Sequence, residues 1–175
     1  IGVDMTEKQL RIANQWKDWH RDKFNYSMSN VEFKHGYIED LDKLLIPSNS
    51  QDIVISNCVI NLCQDKQKVL REVYRVLKTG GEMYFSDVYS SRRIPEELKD
   101  DKVLLGECLS GALYWNDFMA LSKEIGFNDV RTVKHSKITI NNSEISDKLS
   151  GIEFYSVTYR LFKLSLENDC EDYGQ

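Results

Sequence analysis

The stretch from Asp52 to Asp87 constrains this chain more than any other. Ile53, Val54 and Ile55 form a short apolar run, the pattern of a strand buried on both faces of a parallel sheet. Asp65 is placed to cap a following helix, whose apolar residues Val69, Leu70, Val73, Val76 and Leu77 share one face. Lys78 suits the negative end of that helix, and Gly80-Gly81 suits the left-handed geometry that stops it. Met83, Tyr84 and Phe85 then read as a second strand. Strand, helix and strand with short joins make a βαβ crossover, which is right-handed and parallel. Ligands of open α/β sheets lie beyond the carboxyl ends of the strands. The first strand ends at Ser56-Asn57-Cys58, so a thiol falls where such folds do chemistry.

The flanking segments extend the same pattern. Ile1-Gly2-Val3 reads as a strand ending at Asp4-Met5, and Thr6 with Gln9 reads as a capping box opening a helix. Ile12, Ala13, Trp16, Trp19 and Phe24 fall on one face of that helix, with the Trp pair expected in the core. Val31, Phe33 and His35 alternate with polar residues as a strand does, and Ile38-Glu39 follows at its end. Beyond Asp87, residues 88–93 read as a mobile segment, and Pro95 opens a helix reaching toward Leu105. Trp115 to Ile125 reads as a helix stopped by Gly126; Val130 to Ile140 and Phe154 to Leu164 read as strands. The fold class is α/β, a doubly wound and mostly parallel sheet whose first βα unit is absent from this sequence. We expect one domain over residues 1–165 and a disordered acidic tail over 166–175. A chain that starts at Ile1, directly in a strand, is expected to be a fragment of a longer protein.

Composition removes several classes of function. Net charge is −5, with 29% charged and 41% hydrophobic residues, and no basic footprint that would draw nucleic acid. No apolar run approaches the roughly 20 residues of a membrane helix. The four cysteines, at 58, 63, 108 and 170, show neither Cys-x-x-Cys nor zinc-finger spacing. Free thiols in a reducing, cytoplasmic setting are the expectation. No Gly-x-Gly-x-x-Gly loop is present, and Gly80-Gly81 precedes a strand, the wrong context for phosphate. His20, His35 and His135 are scattered; Asp40, Asp42, Asp100 and Asp101 read as surface charge. What remains is a row of strand ends: Asp4-Met5, Ile38-Glu39 and Asn57-Cys58. An acidic residue at such an end accepts hydrogen bonds from ribose hydroxyls. Asp4 fits that role or a turn; Met5 and Ile38 fit purine contacts or packing; Glu39 fits a polar edge of the base or solvent.

Several of these segments together resemble a known family. Ile-Gly-Val-Asp-Met-Thr (1–6), His-Gly-Tyr-Ile-Glu (35–39), Val-Ile-Ser-Asn-Cys-Val-Ile-Asn-Leu (54–62), residues 74–89, and Gly-Glu-Cys-Leu-Ser-Gly-Ala-Leu-Tyr-Trp (106–115) are similar to the arsenite methyltransferases, a branch of the class I S-adenosylmethionine-dependent methyltransferases. The likeness runs from Ile1 to about Lys163, and the two Cys-containing motifs carry most of its specificity. It implies S-adenosylmethionine as cofactor, with Asp4 on the ribose, Met5 on the adenosine, Ile38 and Glu39 beside the adenine, and Asn57 lining the pocket. It implies Cys58 and Cys108 as ligands of arsenic, with arsenite and a thiol reductant as partners. Trivalent arsenic is soft and prefers sulfur; three sulfurs leave a lone pair free to attack the sulfonium methyl with no general base. Cys63 does not match a family ligand, and the Gly-rich loop and the upstream cysteines of the family are absent here. This chain alone is therefore expected to bind cofactor weakly. Tyr114 and Trp115 fit either a cation–π contact to the sulfonium or packing. A methyltransferase for another small acceptor and a thiol-based arsenic- or metal-binding module are the alternatives.

Overall fold

The structure is a computed structural model that describes residues 1–149 and 151–165; Cys170 and the segment read as an acidic tail lie outside the described residues. The chain divides into two compact units, Ile1–Pro47 and Ser48–Gln175.

In the first unit, β1 (Gly2–Asp4) leads through α1 (Glu7–Gln15) and α2 (Lys17–Lys23) to β2 (Phe33–His35), which pairs with β1 in parallel. The helix expected from Thr6 to Phe24 is interrupted at Trp16. The expected capping box does not form, because the Thr6 side chain makes no cap hydrogen bond. Asp4 instead accepts from the Thr6 N–H through Oδ1 at 2.7 Å. Nor are the tryptophans core residues: Trp16 and Trp19 are about half exposed and meet edge to face at 6.1 Å between ring centres. Trp16, His20, Phe24, Tyr26, Val31 and Phe33 line a groove of about 520 Å³.

The second unit starts with the expected crossover. β3 (Gln51–Asn57), α3 (Lys66–Val76) and β4 (Leu77–Ser90) form it, with β3 and β4 parallel. Asp65 caps α3 through a 2.8 Å bond from the Lys68 N–H, and Val69, Leu70, Val73 and Val76 are buried. The helix stops sooner than its apolar spacing predicts. Leu77 is already extended at ψ 137°, Lys78 pairs with Asp52 at 2.7 Å, and Gly80 takes its positive φ within β4. Lys163 satisfies the freed end of α3, donating to the Tyr74 and Leu77 carbonyls at 2.8 Å each. A second correction concerns β3. Ile53 is 58% and Ile55 79% exposed, because β3 is an edge strand of its sheet and that face has no cover within the unit. Met83 and Phe85 of β4 are buried.

After β4 come α4 (Glu96–Lys99), α5 (Lys102–Gly106), β5 (Leu113–Tyr114), α6 (Trp115–Ile125), β6 (Asp129–Ile138), α7 (Ser143–Lys148) and β7 (Phe154–Phe162). Residues 88–90 are buried strand, not a mobile segment. The single helix expected after Pro95 breaks at Asp100-Asp101. Asp101, read from the sequence as surface charge, caps α5 by accepting from Val103 and Leu104 N–H, and pairs with Lys148 at 2.9 Å. α6 ends on Gly126 at φ 118°, as its sequence predicts. The sheet order is β3-β4-β7-β6, with β5 beside β4 and β7 antiparallel to both its neighbours. Phe85, Tyr89, Phe118 and Tyr159 pack ring on ring between α6 and the sheet.

Candidate functional site

Each unit presents candidate residues at the carboxyl ends of its parallel strands. In the first unit, Asp4 pairs with His35 across β1 and β2, and the Gly36 N–H donates to the Asp4 carbonyl at 3.0 Å. His35 Nε2 lies 3.0 Å from the Met5 carbonyl oxygen. The Met5 side chain is exposed, and Ile38 and Glu39 stand half-buried in the 3₁₀ turn just past β2. The four expected adenosine contacts thus lie at one end of a two-stranded sheet. Asp4 Oδ1 accepts from the Thr6 N–H, which fixes the carboxylate at the end of β1.

In the second unit, β3 ends at Asn57, and the Cys58 N–H donates to the Ser86 carbonyl at 2.8 Å. Both side chains are exposed, and Cys58 Sγ lies 3.8 Å from Asn57 Oδ1. Cys58 takes φ 54°, the left-handed region that costs a non-glycine residue about 1 kcal/mol. The chain then enters a 3₁₀ turn, Ile60–Leu62, with Ile60 and Asn61 buried.

Cys108 also adopts the left-handed conformation, at φ 59°. It follows α5 by two residues. The Leu109 N–H reaches back to the Leu104 carbonyl at 2.8 Å, and the Cys108 N–H to the Leu105 carbonyl at 2.9 Å. This is a Schellman C-terminus with a cysteine at the position that usually holds glycine. Its accompanying apolar contact is present, since Leu104 and Leu109 belong to one buried cluster with Val88, Ile94, Ala112 and Phe154. Cys108 packs half-buried against that cluster.

One close approach joins the two cysteine loops. A Cβ added to Gly111 would lie 2.1 Å from the Asn61 carbonyl oxygen, so only glycine fits there. Burial raises the pKa of both thiols, and the negative charge of Asp87 raises each further; Cys108 also feels Cys58 and Glu107. Both thiols are therefore protonated near neutral pH. Cys63 does not complete a triad with them: among the described residues no three His, Cys, Asp or Glu side chains are grouped to hold a metal ion. Its Sγ instead faces the Val59 carbonyl at 3.6 Å. Tyr114 and Trp115 pack on each other at 5.8 Å, and Trp115 meets Tyr155 edge to face at 5.5 Å, which favours the packing role. Asp87 is the residue that sequence reasoning passed over. A lone acid inside the strand-forming run Tyr-Phe-Ser-Asp-Val-Tyr was the available signal.

A parallel crossover with chemistry-bearing residues at its strand ends, extended by two antiparallel strands, is the class I methyltransferase fold. Residues 1–126 match the methyltransferase domain family, and the chain belongs to it. An arsenite methyltransferase of Aquipseudomonas alcaligenes is 56% identical over the whole of this chain and 50% of its own length. The arsenite methyltransferase of Homo sapiens is 52% identical over 94% of this chain and 44% of its own length. The crystal structure of an arsenic(III) S-adenosylmethionine methyltransferase from Chlamydomonas reinhardtii superposes with a TM-score of 0.90 at 50% identity, covering 95% of this chain and 56% of that one. The chain thus spans about half the length of the curated relatives it matches. The YcgJ protein of Bacillus subtilis shares the fold, with a TM-score of 0.65 at 16% identity. No helix among the described residues is long and apolar enough to cross a membrane.

Proposed function

We propose that this chain is the methyltransferase domain of a cytoplasmic, S-adenosylmethionine-dependent arsenite methyltransferase, with trivalent arsenic held by Cys58 and Cys108. The observation that carries this reading is the cysteine pair: two thiols in left-handed backbone, on loops that meet at Asn61 and Gly111. Identities of 50–56% to proteins that act on arsenic support the substrate.

Arsenite loading needs no base from the protein. Each thiol proton leaves with an arsenic hydroxyl as water, so two As–O bonds break and two As–S bonds form. Thiols held protonated by burial and by Asp87 suit that exchange. Softness makes sulfur the preferred donor, and two thiolates fix the direction of the remaining lone pair.

In the same reading Asp4 holds the ribose, Met5 contacts the adenosine, Ile38 and Glu39 border the adenine, and Asn57 lines the pocket. The second Asp4 oxygen and the exposed Met5 side chain fit these roles. Bound S-adenosylmethionine supplies an electrophilic methyl group on sulfur, which the lone pair of arsenic accepts as S-adenosylhomocysteine departs. Arsenic is oxidised by two electrons in that transfer, and a thiol reductant, passing from two thiols to a disulfide, returns it to the trivalent state. Positioning is then the main contribution of the protein, an effect that supplies roughly 7–11 kcal/mol in well-oriented systems.

The test uses the 175-residue chain with Cys63→Ser and Cys170→Ser, leaving two thiols. Phenylarsine oxide, which takes two thiols, is titrated against it and against added Cys58→Ser or Cys108→Ser. Binding weakened about 100-fold or more by either change is the expected result. A single-thiol variant that binds as tightly as its parent overturns the arsenic assignment.

A further inference from the structure

We propose that Asp87 is a positioning residue: it ties the turn after Cys58 to β4 and, through the contact of Asn61 with Gly111, sets the separation of the Cys58 and Cys108 thiols. The proposal rests on the reading of these two cysteines as the arsenic-binding pair.

The geometry is that of a bolt beneath the turn. Asp87 lies three residues before the end of β4 and is 1% exposed. Its Oδ1 accepts from the Val88 N–H at 2.9 Å, and its Oδ2 from the Asn61 N–H at 3.1 Å. Burial pushes the Asp87 carboxyl up, and the N–H groups of Val88, Asn61 and Ile60 and the positive charge of Lys66 oppose that rise. One buried group thus holds the Asn61 peptide unit of the 3₁₀ turn, three residues beyond Cys58. The Asn61 side chain locks the turn from its other side, donating to the Val88 carbonyl at 2.6 Å. The Asn61 carbonyl oxygen is the surface that Gly111 approaches. Gly111 lies three residues past Cys108 in the loop that leaves α5. The route from Asp87 to each thiol is therefore short: back three residues from Asn61 to Cys58, and across Asn61 to Gly111 and back to Cys108.

A buried carboxylate is a costly way to hold a loop unless its hydrogen bonds are kept. Here backbone N–H groups of the Cys58 turn supply them, so the carboxylate and the turn stabilise each other. Asp87 also puts its negative charge near both sulfurs, which, after burial, pushes the pKa of each thiol further up. Asparagine at 87 offers one acceptor oxygen in place of two, and its amide nitrogen would face an N–H donor. Glutamate keeps both oxygens and the charge but carries them one methylene further into the turn.

The experiment compares the two-thiol parent (Cys63→Ser, Cys170→Ser) with Asp87→Asn and Asp87→Glu in the same background. Three quantities are read: phenylarsine oxide affinity, the iodoacetamide alkylation rate of each thiol at pH 7.5 by mass spectrometry, and the circular dichroism melt. Asp87→Asn is expected to weaken phenylarsine oxide at least tenfold while each thiol alkylates faster, because the nearby negative charge is gone. Asp87→Glu is expected to weaken the arsenical with alkylation rates within about twofold of the parent. A purely structural role would not separate the two readouts in this way. Phenylarsine oxide binding within twofold of the parent in either folded variant overturns the proposal. Should Asp87→Asn fail to fold, Asp87→Glu decides alone, by the same criterion. Failure of the underlying reading shows separately: the parent then binds phenylarsine oxide no better than its Cys58→Ser or Cys108→Ser derivative.

Discussion

The strand ends of the first unit and the cysteine loops of the second are built on opposite terms. Asp4, Met5, Ile38 and Glu39 stand in ordinary backbone on a short two-stranded sheet, and a single hydrogen bond to Thr6 aims the one carboxylate at the end of β1. Cys58 and Cys108 stand in left-handed backbone, each within reach of a buried anchor: Asp87 beneath one loop, the cluster around Leu104 and Leu109 behind the other. The difference teaches what each task requires. The hydroxyl and ring contacts proposed for the first unit tolerate small displacements, because several contacts share the work. On the proposed reading, two sulfurs that share one arsenic atom do not, and the left-handed backbone there is held by buried neighbours.

Four changes probe that contrast. Largest is Gly111→Ala, which places a methyl group against the Asn61 carbonyl. We expect a loss of about 2–3 kcal/mol by urea denaturation, in the range of overpacking, together with weaker phenylarsine oxide binding. Unchanged stability would mean that the cysteine loops are not held against each other. At position 108, glycine is expected to be more stable than alanine by about 1 kcal/mol, since both lack the thiol and only alanine resists positive φ. Equal urea midpoints for the two would remove the strain from the comparison.

The third change is in pH. Raised folded-state thiol pKa values mean that stability from the neutral thiols is present at low pH and lost as pH rises through those values. The chain is therefore expected to lose stability above about pH 9, and a Cys58→Ser, Cys108→Ser double variant to lose less. Parallel alkaline profiles for the two would contradict the sign. The smallest effect is expected for Ile55→Thr. Its side chain is 79% exposed, so urea stability should move by less than about 0.5 kcal/mol. A cost above 1 kcal/mol would show that this face of β3 is covered in solution.

Much of the second unit was legible because its signals are local. The Asp65 cap, the buried stripe of α3, and the span of α6 with its glycine stop follow from side chains within one or two turns of each other. The failures have a common cause. Ile53 and Ile55 look like a doubly buried strand, but burial depends on which elements cover each face, and a run of apolar letters does not encode that. Leu77 continues the helical spacing of α3, yet β3 captures it by pairing Leu77 with Gln51. Trp16 and Trp19 fit a core stripe by spacing and are half exposed. The candidate site divides in the same way. The strand ends of each unit are visible from the pattern, although β1-β2 and β3 belong to separate sheets, whereas the joining of Cys58 and Cys108 came only through the family resemblance, since 50 positions separate them. Asp87 shows its role only once Asn61 is seen to lie over it.

β7 is the last strand among the described residues and yet lies in the middle of its sheet, between β4 and β6. A ribosome must therefore release residue 162 before the sheet can close. Until then β4 and β6 have unsatisfied inner edges, a condition that exposes nascent chains to aggregation. The thiol loops follow β3 and α5, so they too take their final form only when synthesis has passed beyond them. Premature termination a few codons before this strand would leave a polypeptide that carries both cysteines but has no finished sheet to hold them.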